Sequence, residues 1–235
     1  MNDVARPSAD HAKVTVLVAA YNEGPVIGDV VRKALAALPA GEVLVVDDGS
    51  TDGTDRAAAA AGARVLRMPA NEGKGCAIRR GLREVQADVI VLIDGDGQDD
   101  PSEIPLLLAA LRPGVDLVVG SRFLGRFGPG AITPVNAWGN RFLTSTINLL
   151  FSARLTDTQA GFKAVRTDAL ERVHLSAHRF DIEVDLLLGV LRAGGHVVEV
   201  PVGRAARPHG KSHLHSIRDG ARIFRRIVAR RFSRG

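Results

Sequence analysis

The sequence of 235 residues is 46% hydrophobic, contains a single cysteine and carries a formal net charge of +5. This length and apolar content suffice for a sizeable core. A disulfide within the chain is excluded, and no apolar run approaches the ~18 residues needed to span a bilayer. The charge is uneven, because residues 204–235 hold ten Arg and Lys against Asp219 alone while 1–203 are net −4. The basic character, and with it any charge-driven binding of polyanions, belongs to the tail.

Residues 1–12 are polar, lack the apolar core of a signal peptide and are expected to be flexible. Val14–Ala20 is apolar almost throughout, as a strand buried on both faces is. Tyr21-Asn22-Glu23-Gly24 follows as a loop, and Pro25 suits the first turn of a helix with Val26, Val30, Val31, Ala34 and Leu38 at helical spacing. A strand over 42–46 ends in Asp47-Asp48-Gly49-Ser50-Thr51-Asp52, whose Ser and Asp side chains are candidate caps for an Ala-rich helix reaching Ala61. A strand over 64–67, a helix over 72–85 and a strand over 89–93 complete a β-α-β-α-β-α-β series with short turns. Such a series predicts a parallel sheet with right-handed crossovers.

Next come a helix over 101–111, capped by Asp100 or Ser102, and a strand over 115–119 leading into Gly120-Ser121-Arg122. Residues 123–134, with three glycines and two prolines, read as a mobile loop. A helix over 136–151, a turn over 156–161, a strand over 162–165 with a short helix behind it, a helix over 182–192, a strand over 196–200 and a polar loop over 204–213 follow. No repeat or linker interrupts the series, so a single α/β domain is expected over 13–215, followed by a basic helix over 216–235.

The strongest chemical signal is the apolar strand ending in Asp94-Gly95-Asp96-Gly97-Gln98. It delivers two carboxylates to the carboxyl end of a buried strand, where open α/β sheets bind their ligands. Carboxylates one residue apart flank a single cation, Mg²⁺ or Mn²⁺ by ligand type, while Gly95 and Gly97 allow a turn and the close approach of a phosphate. An EF-hand is excluded, since Asp99 and Pro105 stand where its Gly and Glu belong. Tyr21-Asn22-Glu23, Asp47-Asp48-Gly49-Ser50 and Asn71-Glu72-Gly73-Lys74-Gly75 also follow predicted strands and meet at one edge if the sheet is parallel. Singly each is an ordinary turn; their recurrence carries the functional reading. Lys74, between glycines at a helix start, offers a cation and amide donors suited to a diphosphate. The first strand-helix turn lacks G-x-G-x-x-G, and Gly210-Lys211-Ser212 has Ala205 where a P-loop needs glycine, so neither motif is present.

In this order the segments resemble the family 2 glycosyltransferases of GT-A fold, and among them the polyprenyl-phosphate sugar synthases related to dolichyl-phosphate mannose synthase. The resemblance runs from about Val14 to Ser212 and implies a Rossmann-like, mostly parallel sheet flanked by helices. It implies that Ala20, Tyr21, Asn22, Glu23, Asp47, Asp48, Asn71, Gly73, Lys74 and Gly95 hold the donor nucleotide. Asp94 and Asp96 match the D-x-D metal motif, Asp157 begins D-x-x-x-G-F-K, and Glu183 closes F-D-x-E, which makes these four the candidate catalytic carboxylates. Gln98, Arg122, Arg207, Lys211 and Ser212 are the candidates for phosphate and acceptor, with His213 replacing the Lys that commonly follows the serine. The reaction implied is single displacement with inversion, moving a hexose from a nucleotide-diphosphate sugar of GDP-mannose or UDP-glucose type to a polyprenyl or dolichyl phosphate.

Two other readings remain. A soluble hydroxyl acceptor would require a carboxylate base, with Asp157 or Glu183 first in line. A basic nucleotide- or nucleic-acid-binding module fits the tail but not the acidic pairs, which repel phosphate without a metal, so no specific nucleic-acid partner is expected. His209, His213 and His215 lie in a basic stretch and are read as solvated or phosphate-facing. In the terminal helix, Ile217, Ala221, Phe224, Val228 and Phe232 recur as one apolar stripe among Arg218, Arg222, Arg225, Arg226, Arg230, Arg231 and Arg234. That pattern predicts a helix lying on a membrane surface, or else one packed on the domain, and a cytoplasmic enzyme peripheral to the membrane.

Overall fold

A computed structural model describes residues 12–210 and 216–232, so the expectations for the first eleven residues and for Lys211, Ser212, His213 and His215 fall outside the described residues. Seven strands form one sheet: β1 (Val14–Ala20), β2 (Glu42–Asp47), β3 (Arg64–Arg67), β4 (Val89–Asp94), β5 (Leu117–Phe127), β6 (Lys163–Arg166) and β7 (Val197–Arg204), in the order β3-β2-β1-β4-β6-β5-β7. The helices are α1 (Gly24–Ala37), α2 (Thr54–Ala60), α3 (Lys74–Leu82), α4 (Ile104–Ala110), α5 (Pro134–Phe151), α6 (Thr167–Leu170), α7 (Ile182–Arg192) and α8 (Ser216–Phe232).

The β-α-β series gives the expected parallel half, with β1 paired in parallel to both β2 and β4. Strand β6 is antiparallel to β4 and to β5, while β7 runs parallel to β5. Two reversals restore direction, so β5 and β7 point the same way as β4 and only β6 opposes the rest. The carboxyl ends of β1, β2, β4, β5 and β7 therefore share one edge.

Alternate residues of each central strand enter opposite cores, as the two-residue period of a strand requires. Val16, Val18, Val43, Val45, Val91 and Ile93 pack with Ile27, Val30, Val31 and Ala34 of α1 and with Ile104 and Leu107 of α4. Leu17, Leu44, Ile90 and Leu92 face the other way, onto Ile78, Ile147, Leu187 and Ile227. On that side Gly81 of α3 sits where a Cβ would lie 2.4 Å from Leu17, which is how α3 comes close to the sheet.

Several boundaries differ from the sequence reading for identifiable reasons. Residues 123–127, expected in the mobile loop, extend β5 because Arg126 and Phe127 pair with Gly203 and Arg204 after a bulge. A Cβ on Gly125 would lie 1.9 Å from the Val202 carbonyl, so the glycine taken for a loop marker is a point of close backbone approach. By the same pairing β7 runs on to Arg204, the residue expected to begin the polar loop. Helix α3 starts at Lys74 instead of 72, since Gly73 has φ of +102° and the amides of Glu72 and Gly73 are taken by Asp48. The expected helix over 101–111 splits, because Pro105 cannot donate to Pro101; Ile104 N–H closes a 3₁₀ turn there, and Asp100 caps it as anticipated.

Helix α8 requires a correction too. Ile223 and Ile227, outside the predicted stripe, are its buried residues, whereas Phe224 and Phe232 of that stripe are 38% and 74% exposed. Arg226 and Arg230, read as part of a solvated cationic face, reach Asp181 and Asp185 of the α7 start. The helix thus packs on the domain through one face and leaves Phe224 and Phe232 outward. We expect Ile227→Ala to cost about 2–4 kcal/mol in denaturant unfolding, as buried Ile-to-Ala changes do, and Phe232→Ala to cost less than about 0.5 kcal/mol. Equal costs would mean that α8 is not packed as described.

Candidate active site

Asp94 ends β4 and faces Lys74 at the start of α3, Nζ to Oδ1 at 2.5 Å. The same ammonium is 2.7 Å from Glu183 Oε1 on α7, and Glu183 Oε2 is 2.5 Å from Lys163 Nζ on β6. Lys163 also donates to the Ala160 carbonyl. Two acids and two lysines thus alternate in a chain that crosses the sheet edge. Burial pushes Asp94 and Glu183 up, but the neighbouring lysines outweigh it and hold both carboxyls below the usual range. Burial likewise lowers Lys74, and Asp94 with Glu183 more than reverses this, so its proton is firmly held. Gly161 is required beside this group, since a Cβ there would stand 2.9 Å from Asp94 Oδ2.

Asp96 is less well neutralised. Its Oδ1 accepts from Gln98 N at 3.1 Å, while Oδ2 has guanidinium nitrogens of Arg207 and Arg204 only at 3.6 Å and 4.0 Å. Burial and then the charge of Asp94 raise its carboxyl above the usual range. A second cation beside it relieves both effects. Among the described residues no cluster of three or more His, Cys, Asp or Glu forms a metal cage. Two carboxylates fit Mg²⁺ or Mn²⁺ all the same, for Mg²⁺ commonly takes one or two protein carboxylates and completes its shell with water and substrate phosphates.

The segment after β7 lies against this turn. Gln98 Nε2 donates to the Ala205 carbonyl at 3.0 Å, and Ala205 N donates to the Gln98 carbonyl at 2.8 Å. Arg204 donates to Asp99 at 2.8 Å and to Gln98 Oε1 at 2.9 Å. Arg207 forks onto Glu23 Oε1 at 2.9 and 2.7 Å. Burial pushes the Glu23 carboxyl up to about 7, with Arg207 opposing the shift and Asp96 and Asp94 adding to it. Gln98, read as a phosphate ligand, is thus the tie that joins the segment to the metal-motif turn.

Of the nucleotide candidates, Asn22 adopts φ of +55°, donates its backbone N–H to Ser50 Oγ at 2.9 Å and accepts through its side-chain oxygen from Thr51 N at 3.0 Å, which clips the β1 and β2 ends together. Asp47 is fully buried and holds Ser50 N at 3.0 Å; Asp48 holds Glu72 N and Gly73 N, both at 2.8 Å. Both aspartates shape loops through these bonds, and Asp47 Oδ2 has no hydrogen-bond partner among the described residues. Tyr21, Asn71 and Gly73 line the same edge and are partly or wholly exposed, whereas Ala20 and Gly95 are buried. Gly95 has Ala20 and Ile27 each 3.0 Å from where its Cβ would be.

Asp157 and Arg122 pair with each other. Asp157 accepts from Arg122 Nε at 2.6 Å, Arg122 Nη2 at 2.8 Å, Arg122 N at 3.1 Å and Asn140 Nδ2 at 2.8 Å. Burial raises this carboxyl, and Arg122 overrides it, leaving it below the ordinary range. Both oxygens of this carboxylate are occupied, and Arg122 is engaged in return. Glu183 is likewise paired, with a lysine on each oxygen. Sequence reading missed Arg204, Asn140 and Glu199, the last of which accepts from Thr156 N at 2.8 Å and Asp157 N at 2.8 Å. The available signal was polarity within otherwise apolar elements, because a polar side chain on a packed face needs a partner.

A family model described as glycosyl transferase family 2 matches residues 15–173. Glycosyltransferase AglJ of Haloferax volcanii is 33% identical over 219 residues, covering 92% of this chain and 71% of that protein. The undecaprenyl-phosphate mannosyltransferase of Micrococcus luteus is 34% identical over 218 residues, covering 86% of this chain and 87% of that protein. A crystal structure of glucosyl-3-phosphoglycerate synthase from Mycobacterium tuberculosis, in complex with Mn²⁺, uridine diphosphate and glucosyl-3-phosphoglycerate, superposes with a TM-score of 0.72 at 25% identity, covering 96% of this chain and 80% of that one. With a GT-A sheet whose carboxyl edge carries the paired aspartates, and with a family model spanning most of that sheet, the chain belongs to glycosyltransferase family 2 and is an enzyme of that family.

Proposed function

We propose that the enzyme moves a hexose, with inversion, from a nucleoside-diphosphate sugar to the phosphate of a polyprenyl lipid. The observation that carries the reading is the Asp94 and Asp96 pair at the sheet edge, with Arg207 within reach of Asp96. A Mg²⁺ or Mn²⁺ ion held by these two carboxylates would neutralise the diphosphate as it leaves. Lys74 fixes Asp94 in its ionised form and orientation. Arg204 and Arg207 supply positive charge on the loop side, where Arg207 exchanges Glu23 for an incoming phosphate, and the fork geometry of arginine suits that exchange.

The state of the other carboxylates favours a phosphate acceptor over a hydroxyl. A hydroxyl must lose a proton as it attacks, and Asp157 and Glu183 are both held in ion pairs that keep them from receiving it. A phosphate monoester is already anionic at neutral pH and needs only positioning. The Micrococcus relative is by name an undecaprenyl-phosphate mannosyltransferase, which supports a lipid phosphate as acceptor.

The surface supports a lipid source for that phosphate. Trp138 and Phe142 of α5 stack at 5.8 Å between ring centroids, and Phe142 stacks on Phe224 of α8 at 5.9 Å. Trp138 is 71% exposed and Leu149, further along α5, 82%. An exposed apolar ridge of this kind, bordered by arginines, suits attachment in the plane of a membrane interface. Among the described residues no helix is long and apolar enough to cross a membrane.

Asp96→Asn removes one charge from a strand end without opening a cavity. We expect about a hundredfold loss or more of metal-dependent transfer to polyprenyl phosphate, with the melting temperature changed by less than about 3 °C. Wild-type turnover that still needs added metal would sink the assignment. Arg207→Ala should raise the KM for polyprenyl phosphate about tenfold or more and that for the nucleotide sugar by less than about threefold. Transfer to phosphoglycerate alone, with none to polyprenyl phosphate in a panel of nucleotide sugars, would replace the lipid acceptor by a soluble one.

A further inference from the structure

The turn over 174–181 and helix α8 enclose an open groove of about 720 Å³ whose lining includes none of Asp94, Asp96, Lys74 and Glu183. Five arginines line it: Arg179 from the turn, and Arg222, Arg225, Arg226 and Arg230 from α8, with His178 beside them. Three of the five are fixed by carboxylates. Asp219 accepts from Arg222 at 3.0 Å, Asp181 from Arg226 Nε at 2.6 Å, and Asp185 from Arg230 Nε at 2.8 Å. Ser176 Oγ accepts a further bond from Arg226 at 2.9 Å. Asp185 is fully buried and also holds the amides of Ser176 and Ala177 at 2.7 and 2.9 Å, so one carboxylate sets both the turn and the arginines. The side chains of Arg179 and Arg225 form no ion pair or hydrogen bond among the described residues.

Five guanidinium groups thus meet three carboxylates around one concavity, leaving an excess of two positive charges. Packing alone does not call for this arrangement. Ile223 and Ile227 dock the helix, and Asp181 and Asp185 need only Arg226 and Arg230. Like charges gathered in a groove repel one another, and an anion between them removes the repulsion. Arginine forks match the oxygens of phosphate, and here the buried acids orient two of them before any ligand arrives.

We propose that this groove is a second anion site, one that binds phosphate groups outside the transfer centre. Its place on α8, next to the exposed Phe224 and Phe232, makes the headgroup of an anionic lipid one source; a soluble phosphate is the other. The site does not depend on the identity of the acceptor in the transfer reaction.

The full-length protein is compared with an Arg179→Gln, Arg225→Gln double variant, which leaves the three carboxylate pairs intact. Calorimetric titration with inorganic phosphate and sedimentation with vesicles of phosphatidylcholine, with or without about one third phosphatidylglycerol, give the two readouts. Binding to the anionic vesicles, absent for phosphatidylcholine alone and about thirtyfold weaker in the double variant, identifies the lipid as the source. Phosphate binding lost in the double variant, with vesicle binding unchanged, supports the groove and identifies a soluble phosphate. Equal behaviour of both proteins in both assays overturns the proposal. Transfer to detergent-dispersed polyprenyl phosphate is expected to stay within about twofold of wild type, so a failure of the acceptor assignment and a failure of the groove are read separately.

Discussion

The constraint on which the site depends is the need to neutralise acids buried at a sheet edge. Glu183 is buried and Asp94 half-buried beside it, and a buried carboxylate without a partner costs several kcal/mol. Lys74 and Lys163 meet that cost, and by doing so they bind β4, α3, β6 and α7 at a single point. This explains why Gly161 must lack a side chain and why the start of α3 is pressed against the 177–178 backbone, where a Cβ on Gly75 would lie 2.6 Å from the Ala177 carbonyl. The fold and the orientation of the first metal-motif aspartate are therefore consequences of the same ion chain. Asp96 stands outside it and keeps a loosely matched charge.

A second level of charge matching controls the entry side. Arg204 and Arg207 reach back from the end of β7 to Asp99, Asp96 and Glu23, while Gln98 and Ala205 exchange backbone and side-chain bonds beneath them. The two contacts differ in character. Arg204, at the end of a paired strand, is an integral part of the wall. Arg207, three residues further on, lies beyond the strand and forks onto Glu23, whose carboxyl burial has pushed up to about 7. Asp157 and Arg122 supply a third pair, deeper in the sheet, where Asn140 and Glu199 hold the turn that carries the aspartate. In this arrangement the oxygens of Asp157 are occupied by Arg122 and Asn140.

Helix α8 joins the core and the surface. Its Ile223 and Ile227 complete the lower core, its Arg226 and Arg230 satisfy the acids at the start of α7, and its Phe224 extends the aromatic ridge of α5 outward. A helix with three differently occupied faces explains why an amphipathic pattern read as one stripe was incomplete. Apolar residues lay on both the inward and the outward face, and hydropathy does not separate them.

The sequence by itself determined the parallel half of the sheet, because continuous apolar strands alternating with amphipathic helices and short turns permit little else. It also determined the placement of Asp94 and Asp96, since a strand that ends in acids must present them at its carboxyl end. Tertiary structure alone decided which of the candidate side chains remain open. Asp48, Asp157 and Glu183 occur in motifs that read as ligand-binding, and each accepts from donors far away in the chain, because the partner of a buried charge is a matter of three-dimensional proximity. Tertiary pairing likewise turned the glycine-rich start of the 123–134 stretch into strand and set β6 antiparallel between β4 and β5. A local pattern records what a residue prefers, whereas hydrogen-bond and charge satisfaction depend on which segments the fold brings together.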